Sequence, residues 1–438
     1  MKIKDIKITP IALSDPPLLN AAGLHQPYAL RLVVEIISDD GITGVSELPG
    51  GVKSETALRE FAPKLDGHDP FNFNRLDELL DEHFGNPQGA EPYQSAPGSA
   101  APKKEANPRR RKAHIRSAFE VACYDLIGKA LNKRVADLLG GVVRREVPCS
   151  AYLFFKYEGA GGEYGHTKAP GLTGWEAQRQ EEATTPEGIV AEADAMVKAF
   201  GFKSIKLKGG AFHPSVETAA ILALHDHFGP DMPLRFDPNA CWSMETALTY
   251  GRQMGKALQY YEDPVRGQEA MAQLSGELNI PLATNMCTVN LQDLPGSFRH
   301  GSEQIILSDH HFWGGFQPCM TLAQFCRIFG RGLSMHSNSH AGVSLMAMAH
   351  LAAATPNLTY AVDTHYPWQR EEIIKGGRIQ FEDGNVVLPD APGLGVELDH
   401  AALERLNQQY VASGFTERDD QTELRKIRPD FTATPTQY

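Results

Sequence analysis

The chain has 438 residues, a formal net charge of −12 and an apolar fraction of 42%. This length exceeds that of one ordinary domain, and the apolar fraction is enough to fill a large core. The acidic balance argues against nucleic acid or an anionic membrane as the main partner, although an anionic substrate can still bind where lysines or a metal make a site locally positive.

The cysteines and the apolar runs indicate the cellular setting. The six cysteines are scattered, without a CxxC pair, and no run of about 18 apolar residues occurs. The segment MKIKDIKITPIAL lacks the long apolar stretch of a signal peptide. We therefore expect reduced thiols, no membrane-spanning segment and a cytoplasmic location. A homo-oligomer is expected as well.

Residues 1–140 are predicted to form an α+β domain. Two strand-like runs, KIKDIKITPIAL and YALRLVVEIISD, precede helical patterns such as FNRLDELLDEHF and RSAFEVACYDLIGKALN. Between these two helical patterns, the stretch from Gly85 to Lys112 is rich in Pro, Gly, Ala and charge, which predicts a surface loop. Its basic run, Arg109–Lys112, is interpreted as solvated loop charge, because four charges in an acidic protein are weak evidence of a nucleic-acid site.

Residues 141–395 alternate strand-like and helical patterns. Eight candidate strands in about 250 residues predict a TIM-type (β/α)₈ barrel rather than an open doubly wound sheet. No GxGxxG follows an early strand, which disfavours a dinucleotide-binding fold. The strands are VPCSAYLFF, KSIKLK, PLRFDPN, LQYYEDP, IPLATN, EQIILSD, GLSMHS and LTYAVDTH. Residues 396–438 follow, with one helical pattern and a polar tail.

Polar residues fall at the carboxyl ends of these strands, where TIM-type barrels place their catalytic groups. They are Tyr152, Lys206, Lys208, Asp237, Asn239, Glu262, Asn285, Asp309, His336 and His365. The agreement between strand ends and polar positions predicts one site at that end of the barrel.

Three of these residues recur at nearly even spacing: Asp237 in RFDPN, Glu262 in YYEDP and Asn285 in LATN. Successive members lie roughly 25 residues apart, close to the length of one βα unit, so consecutive parallel strands would deliver them to one point. Any one alone could be a helix cap, but three in phase predict a metal site. Carboxylate and amide oxygens suit Mg²⁺ better than a softer metal.

Lys206 and Lys208 lie two residues apart in KSIKLK, so both side chains point to the same side of the strand. Ile205 and Leu207 face the helices, which leaves the lysines in the barrel lumen. Burial and a neighbouring cation lower a lysine pKa toward neutrality, so we expect a lysine poised to act as a base. A solvated edge strand with the same KxK pattern is the alternative.

Asp309, in ILSDHHFW, and His336, in LSMHSNSH, end adjacent predicted strands. A carboxylate in this position can hydrogen-bond the imidazole, orient the ring and raise its basicity. His310, His311 and His340 are neighbours, but His336 is preferred because it directly ends its strand.

A hard cation between Lys208 and an Asp-supported His336 suits removal of a proton α to a carboxylate. The cation and the Lys206 ammonium would stabilise the negative charge that develops on the carboxylate oxygens. Two bases on opposite faces could take the proton from either configuration of the carbon, and one could return a proton to a leaving β-hydroxyl.

The chain resembles the enolase superfamily and, within it, the D-glucarate dehydratases. The resemblance covers most of the chain and rests on FKSIKLKGG, RFDPNACWS, YYEDP, LATNM, LSDHHFW, SMHSNSH and AVDTHYPWQ. It implies a (β/α)₇β TIM-type barrel under an N-terminal α+β capping domain that the C-terminal segment completes. It also implies the Mg²⁺-dependent dehydration of an acid sugar, D-glucarate, to 5-dehydro-4-deoxy-D-glucarate.

The resemblance further implies roles for individual residues. The implied metal ligands are Asp237, Glu262 and Asn285. The implied catalytic residues are Lys208, His336, Asp309, Lys206 and Asn239. The implied substrate contacts are Asn20, His25, Tyr152, Ser337, Asn338, His365 and Arg418. An arginine at the last position is suited to bidentate recognition of the distal carboxylate.

Two features depart from the family pattern. Glucarate dehydratases carry a longer loop after YYEDP, and an acidic residue of that loop is the second metal ligand. Here the loop is short, so Glu262 is the expected ligand and Glu269 the alternative. The stretch from Gly85 to Lys112 is atypical where the family places part of its substrate lid, and Ser117 is the nearest polar residue. A changed lid is compatible with another acid sugar, such as galactarate.

Two hypotheses from other functional classes stay open on the sequence alone. A class I aldolase would use Lys208 to form a Schiff base and would not need the Asp/Glu/Asn trio. A catalytically silent sugar-acid-binding relative is disfavoured, because both bases and the ligand set are present.

Overall fold

The computed structural model describes residues 1–85 and 108–438, and most of the atypical Gly85–Lys112 stretch lies outside these residues. A capping region comes first in the chain. Its elements are β1 (Ile3–Ser14), β2 (Leu19–Asn20), β3 (Gly23–Leu24), β4 (Tyr28–Ser38), β5 (Thr43–Pro49), α1 (Val52–Phe61), α2 (Phe73–Phe84), α3 (Pro108–Leu131) and α4 (Val135–Leu138). β4 pairs antiparallel with β1 on one side and with β5 on the other.

The capping sheet lies between two hydrophobic cores because side chains alternate along β4. Leu32, Val34 and Ile36 belong to the core formed with α1, α2 and α3. Val33, between them, belongs to the core of the barrel. Because successive side chains of a strand point to opposite faces, β4 packs against both cores.

A parallel barrel follows. Its strands are β6 (Glu146–Phe154), β7 (Ile205–Lys208), β8 (Leu234–Asp237), β9 (Leu258–Glu262), β10 (Leu282–Thr284), β11 (Ile305–Ser308), β12 (Gly332–Met335) and β13 (Val362–Thr364). They pair in chain order from β6 to β12, and β13 pairs with β6. Backbone amides of Thr359 and Tyr360 donate to the carbonyl of Leu333 at 3.0 and 3.2 Å, which brings the last two strands together.

Helices connect the strands on the outside of the barrel. They are α5 (Gly174–Gln178), α6 (Pro186–Phe200), α7 (Pro214–Phe228), α8 (Met244–Met254), α9 (Gln268–Glu277), α10 (Leu294–His300), α11 (His310–Trp313), α12 (Phe316–Ile328) and α13 (Gly342–Ala354). After β13 the chain forms a 3₁₀ turn and then β14 (Asn385–Val387), which pairs antiparallel with β6, in place of an eighth barrel helix. The predicted TIM-type barrel is confirmed, in its (β/α)₇β form.

Local signals explain where the connecting helices begin and end. The Thr185 side chain accepts from the Gly188 amide at the start of α6, and Pro186 fills the first helical position. Gly201, at φ 74°, ends the same helix in the left-handed region that glycine adopts freely. This segment is amphipathic, so α6 buries Ile189 and Met196 against the barrel.

The C-terminal segment returns to the cap. It contains α14 (His400–Ser413) and α15 (Asp420–Arg425), and α14 packs against β1. The side chains of Asn407 and Gln409 donate to the carbonyls of Pro10 and Ala12 at 2.7 and 2.9 Å. No helix within residues 1–85 and 108–438 is long and apolar enough to cross a membrane. All six cysteines are buried and free of disulfide bonds.

Candidate active site

A cavity of about 290 Å³ opens at the carboxyl ends of the barrel strands, with the β2–β3 loop on one wall. Most of the predicted site residues line it: Asn20, His25, Tyr152, Lys208, Asn239, Asn285, His336, Ser337, Asn338, His365 and Arg418. The other predicted residues are buried outside its lining: Lys206, Asp237, Glu262 and Asp309. The structure therefore brings the predicted residues to one place, in two layers.

Lys206 lies in the deeper layer and is enclosed by three carboxylates. Its Nζ is 2.6 Å from Glu262 Oε2, 2.7 Å from Asp363 Oδ2 and 3.6 Å from Asp237 Oδ2. Burial lowers the pKa of Lys206, but the carboxylates of Asp363 and Glu262 outweigh burial and hold the pKa well above its ordinary value. Lys206 is therefore suited to stabilise negative charge as an ammonium, which is the role predicted for it.

Lys208 reaches the cavity from the end of the same strand. Its Nζ donates to Asp237 Oδ2 at 2.6 Å and also to Asn239 Oδ1. The backbone amide of Asn239 in turn donates to Asp237 Oδ1 at 2.8 Å. Asn239 has φ 61°, a left-handed conformation that asparagine tolerates better than most residues. This turn after β8 holds the amine of Lys208 at the cavity wall.

Asp237 and Glu262 are the last residues of β8 and β9, and Asn285 directly follows the neighbouring strand β10. Glu262 Oε1 is buried and has no hydrogen-bond partner in the described part of the chain. Burial raises the pKa of Glu262 well above its ordinary value; the carboxylates of Asp237 and Asp363 add to this effect and Lys206 opposes it. An unpartnered buried oxygen and an excess of buried carboxylate fit a divalent cation with hard oxygen ligands.

Two further acidic residues near this trio differ in what they can do. Asp263 accepts from Thr284 Oγ1 at 2.5 Å and from the Asn285 amide at 2.8 Å, so it fixes the start of the turn that carries Asn285. Glu269, the alternative ligand, is exposed in the first turn of α9 and does not line the cavity. Glu262 accordingly stays the predicted ligand.

Asp309 and His336 form a hydrogen-bonded pair at adjacent strand ends, with 2.8 Å between Asp309 Oδ2 and His336 Nδ1. This contact leaves Nε2 of the ring for the cavity. Burial lowers the pKa of His336 and outweighs the opposing effect of Asp309, so the ring is neutral near pH 7. Burial raises the pKa of Asp309, but its contacts with His311 and His336 hold the pKa well below the ordinary value. The pair is a neutral imidazole on an ionised carboxylate.

An aromatic and cationic stack covers His336. The Phe312 ring lies 5.0 Å from the His336 ring at an interplanar angle of 25°. The guanidinium of Arg110 lies 4.1 Å from the centroid of the Phe312 ring, and both Arg109 and Arg110 line the cavity. The interpretation of this basic run as solvated loop charge is therefore wrong: α3 begins before it and turns two of its arginines toward the site.

The opposite wall is built from the β2–β3 region and the C-terminal segment. Arg418 donates to Asp420 through Nε and Nη2 at 2.8 and 2.5 Å, and Asn20 Nδ2 donates to the same carboxylate at 2.9 Å. His25 Nδ1 lies 2.9 Å from Asp15 Oδ2. Two buried carboxylates thus orient the three polar side chains that this wall presents.

Four site residues were not predicted from the sequence: Asp363, Asp263, Arg109 and Arg110. Asp363 stands two residues before His365 in AVDTH, so the alternation along β13 could have placed both on the lumen side. Its contact with Lys206 depends on the pairing of β13 with β6, for which the sequence carries no local signal. Ser117, the polar residue expected near the lid, is buried on α3 and does not line the cavity.

Comparisons with known proteins agree with this architecture. A family model described as "Enolase C-terminal domain-like" matches residues 188–402. The chain is 42% identical to a probable glucarate dehydratase of Streptomyces coelicolor, over 98% of this chain and 97% of that protein.

Two solved structures are similar over nearly the whole chain. An enolase from Pseudomonas fluorescens with bound magnesium, potassium and tartrate has a TM-score of 0.90 and 46% identity, and covers 100% of this chain and 99% of that chain. An enolase from Thermobispora bispora complexed with magnesium and formate has a TM-score of 0.89 and 44% identity, and covers 99% of both chains. The expected family is thereby confirmed: the chain belongs to the enolase superfamily.

Proposed function

We propose that the protein is a Mg²⁺-dependent acid-sugar dehydratase that converts D-glucarate to 5-dehydro-4-deoxy-D-glucarate. The observation that carries this proposal is the placement of Lys208 and His336, two groups able to act as bases, on one cavity above a buried cluster of carboxylates and Lys206. They end β7 and β12, which stand across the barrel from each other. The likeness to a probable glucarate dehydratase supports the choice of reaction.

Asp237, Glu262 and Asn285 would hold the metal ion. Mg²⁺ bound there would supply electrophilic stabilisation to the carboxylate of the substrate. Two solved relatives contain magnesium, which supports this choice of metal. Lys206 adds a fixed positive charge beneath the site, since its pKa keeps it an ammonium.

His336 and Lys208 then divide the proton transfers. Neutral His336, with its Nδ1–H donated to Asp309, presents the Nε2 lone pair to the cavity. Nε2 takes the proton from the carbon beside one carboxylate and returns it to the neighbouring hydroxyl, which leaves as water. The resulting enol tautomerises to the keto acid. Lys208, on the facing wall, takes the proton when the α-carbon has the opposite configuration.

The remaining cavity residues bind the rest of the substrate. Asn20, His25 and Arg418 face it from the capping wall, and Tyr152, Asn239, Ser337, Asn338 and His365 face it from the barrel. Bound tartrate in the Pseudomonas fluorescens relative is itself a hydroxylated dicarboxylate, which supports a diacid here. The atypical stretch from Gly85 to Lys112 leaves galactarate as the alternative substrate.

The proposal also extends to cellular location. Free thiols at all six cysteines suit a reducing compartment, and we place the protein in the cytoplasm. Its partner is the small acid-sugar substrate.

A substrate screen tests the proposed function. The purified protein, loaded with Mg²⁺, is assayed against a panel of acid sugars that includes D-glucarate and galactarate, and keto-acid formation is measured. We expect D-glucarate to give the highest kcat/KM and EDTA to abolish turnover. Full activity without metal, or borohydride trapping of a carbonyl substrate on Lys208, would support a Schiff-base aldolase instead and refute the proposal.

A further inference from the structure

A buried polar chain connects the capping sheet to the Asp309–His336 pair. The Glu47 carboxylate, on β5, accepts from the backbone amides of Ala341 and Ser344 at 2.8 and 3.0 Å, at the start of α13. Arg31 Nε donates to the same carboxylate at 2.8 Å. The main-chain carbonyl of Glu47 lies 2.9 Å from Nε2 of His311. The cap is thus held to the barrel where α11 begins.

His311 continues this chain to the base. Its Nδ1 lies 3.2 Å from Asp309 Oδ1, and its backbone amide donates to the same oxygen at 2.7 Å. The other carboxylate oxygen, Asp309 Oδ2, holds His336 Nδ1 at 2.8 Å. Asp309 therefore has one oxygen for each histidine, and His311 bridges it to the capping strand.

Each ring nitrogen of His311 faces an oxygen acceptor. A carbonyl oxygen and an ionised carboxylate accept hydrogen bonds and offer none, so a bare nitrogen at either end would meet an oxygen lone pair. Ser344 Oγ lies 3.1 Å from Nε2 and can donate or accept, but it does not relieve the contact with the Glu47 carbonyl. The His311 ring therefore links the Glu47 carbonyl at one end to the Asp309 carboxylate at the other.

The histidines that surround His311 are neutral. Burial lowers the pKa of three neighbouring histidines well below the ordinary value, so they are neutral: His114, His310 and His340. Arg31 is neutralised by Glu47. A buried charge without such a partner would be strongly unfavourable.

The side chains of Asp309, His310 and His311 present ligand atoms within 4.8 Å of one another, which invites comparison with a metal site. A metal would need lone pairs on the nitrogen ligands. Both nitrogens of His311 instead face oxygens, and Asp309 already holds His336. The cluster is therefore better explained as support for the base.

We propose that His311 is a positioning residue, a bridge that fixes Asp309 between the capping sheet and His336. The bridge sets the orientation of the His336 ring and shares the negative charge of Asp309, so that His336 stays neutral and available to take a proton. This inference rests on the proposed function for its effect on catalysis, but the contacts of His311 with Asp309 and Glu47 stand apart from it.

Two substitutions separate the two ends of the bridge. Asparagine places its amide near the position of Nδ1 and can donate to Asp309, whereas glutamine places it near Nε2 and reaches toward Glu47. His310→Asn is the matched control, because His310 is equally buried in the same turn but hydrogen-bonds neither Asp309 nor Glu47 among the described contacts.

The readout is deuterium exchange at C5 of D-glucarate and of its C5 epimer, in D₂O. One configuration reports on His336 and the other on Lys208. We expect His311→Gln to slow the His336-dependent exchange by roughly 10- to 100-fold, as for other residues that orient a reactive histidine, and His311→Asn to slow it less. The Lys208-dependent exchange should change by less than about twofold in both variants and in His310→Asn.

A second measurement does not depend on activity. In ¹⁵N-histidine-labelled protein, the ring nitrogen chemical shifts of His336, assigned by their loss in His336→Ala, should change in His311→Gln and stay unchanged in His310→Asn. Unchanged His336 shifts in His311→Gln, or an equal loss of both exchange reactions, would overturn the inference. If the wild-type protein exchanges neither acid sugar, the proposed function fails, while the nitrogen shifts still decide whether the bridge exists.

Discussion

Lys206 and Lys208 differ in environment although they lie two residues apart on one strand. Lys206 is fully buried among three carboxylates, whereas Lys208 is 8% exposed and reaches the cavity. Alternation along the strand correctly places both in the lumen, but it carries no information about depth. Depth decides their chemistry, because the deeper lysine, on β7, contacts Asp363 on β13. The strand β6 lies between these two strands.

The Lys206 cluster makes a prediction about stability. Lys206→Met leaves the buried carboxylates of Glu262, Asp363 and Asp237 without their ammonium, which we expect to cost about 3–5 kcal/mol of unfolding free energy. Urea denaturation measures this value. Lys203→Met, at an exposed ion pair just before the same strand, is the control and should cost less than about 1 kcal/mol. Equal losses of unfolding free energy in the two variants would show that the Lys206 cluster does not stabilise the barrel.

The metal site makes a second prediction at single residues. Glu262→Gln removes the buried carboxylate that has an unpartnered oxygen, and should weaken Mg²⁺ binding by at least roughly tenfold, as measured by isothermal titration calorimetry. Glu269→Gln, in the exposed first turn of α9, should leave Mg²⁺ affinity unchanged. A larger loss of Mg²⁺ affinity in Glu269→Gln would identify Glu269 as the ligand instead.

The pKa of His336 sets the pH dependence of the reaction. Burial lowers this pKa below the ordinary 6.5, so the ring stays a neutral base as the pH falls through 6.5, and the acid limb of kcat/KM should lie below that value. Asp309 raises the pKa of His336, so Asp309→Asn should move the limb to still lower pH while reducing the rate. A limb that moves to higher pH in Asp309→Asn would contradict the pairing.

At the scale of elements, the barrel was the most predictable part of the molecule. Seven of the eight strands end in a polar residue or are followed directly by one, and β6, which ends at Phe154, is the exception. This local pattern persists in the fold because helices cover the apolar outer side of the strands. The start of α3 was not predictable. Proline, glycine and charge dominate the stretch before it, so the sequence favours a loop where the structure has a helix that carries Arg109 and Arg110 to the cavity.

This helix makes a prediction about substrate binding. Arg110→Gln removes a guanidinium at the cavity wall, and should raise the KM for D-glucarate by roughly tenfold, because hydrogen bonds to charged groups contribute about 1.5–3 kcal/mol. Arg111→Gln makes the same change in charge one residue later, at a position outside the cavity lining, and should have little effect. Equal rises in KM would indicate a general loss of positive charge rather than a contact.

At the scale of the whole molecule, the cavity is assembled from three separate parts of the chain. Asn20 comes from the β2–β3 region, Lys208 and His336 from the barrel, and Arg418 from the C-terminal segment. The barrel residues could be inferred from strand ends, but Asn20 and Arg418 could be inferred only from the family resemblance, because long-range docking of the segments brings them in. The expected homo-oligomer stays a prediction, which light scattering in solution can test.

The central claim is that Lys208 and His336 act as bases on opposite sides of one acid-sugar site. Proton NMR in D₂O, with Mg²⁺ present, measures exchange of the C5 proton of D-glucarate and of its C5 epimer by the wild-type protein, by Lys208→Ala and by His336→Ala. We predict that the wild type exchanges both epimers and that each variant loses exchange of one epimer while it keeps the other. Undiminished exchange of both epimers in both variants would contradict the two-base site.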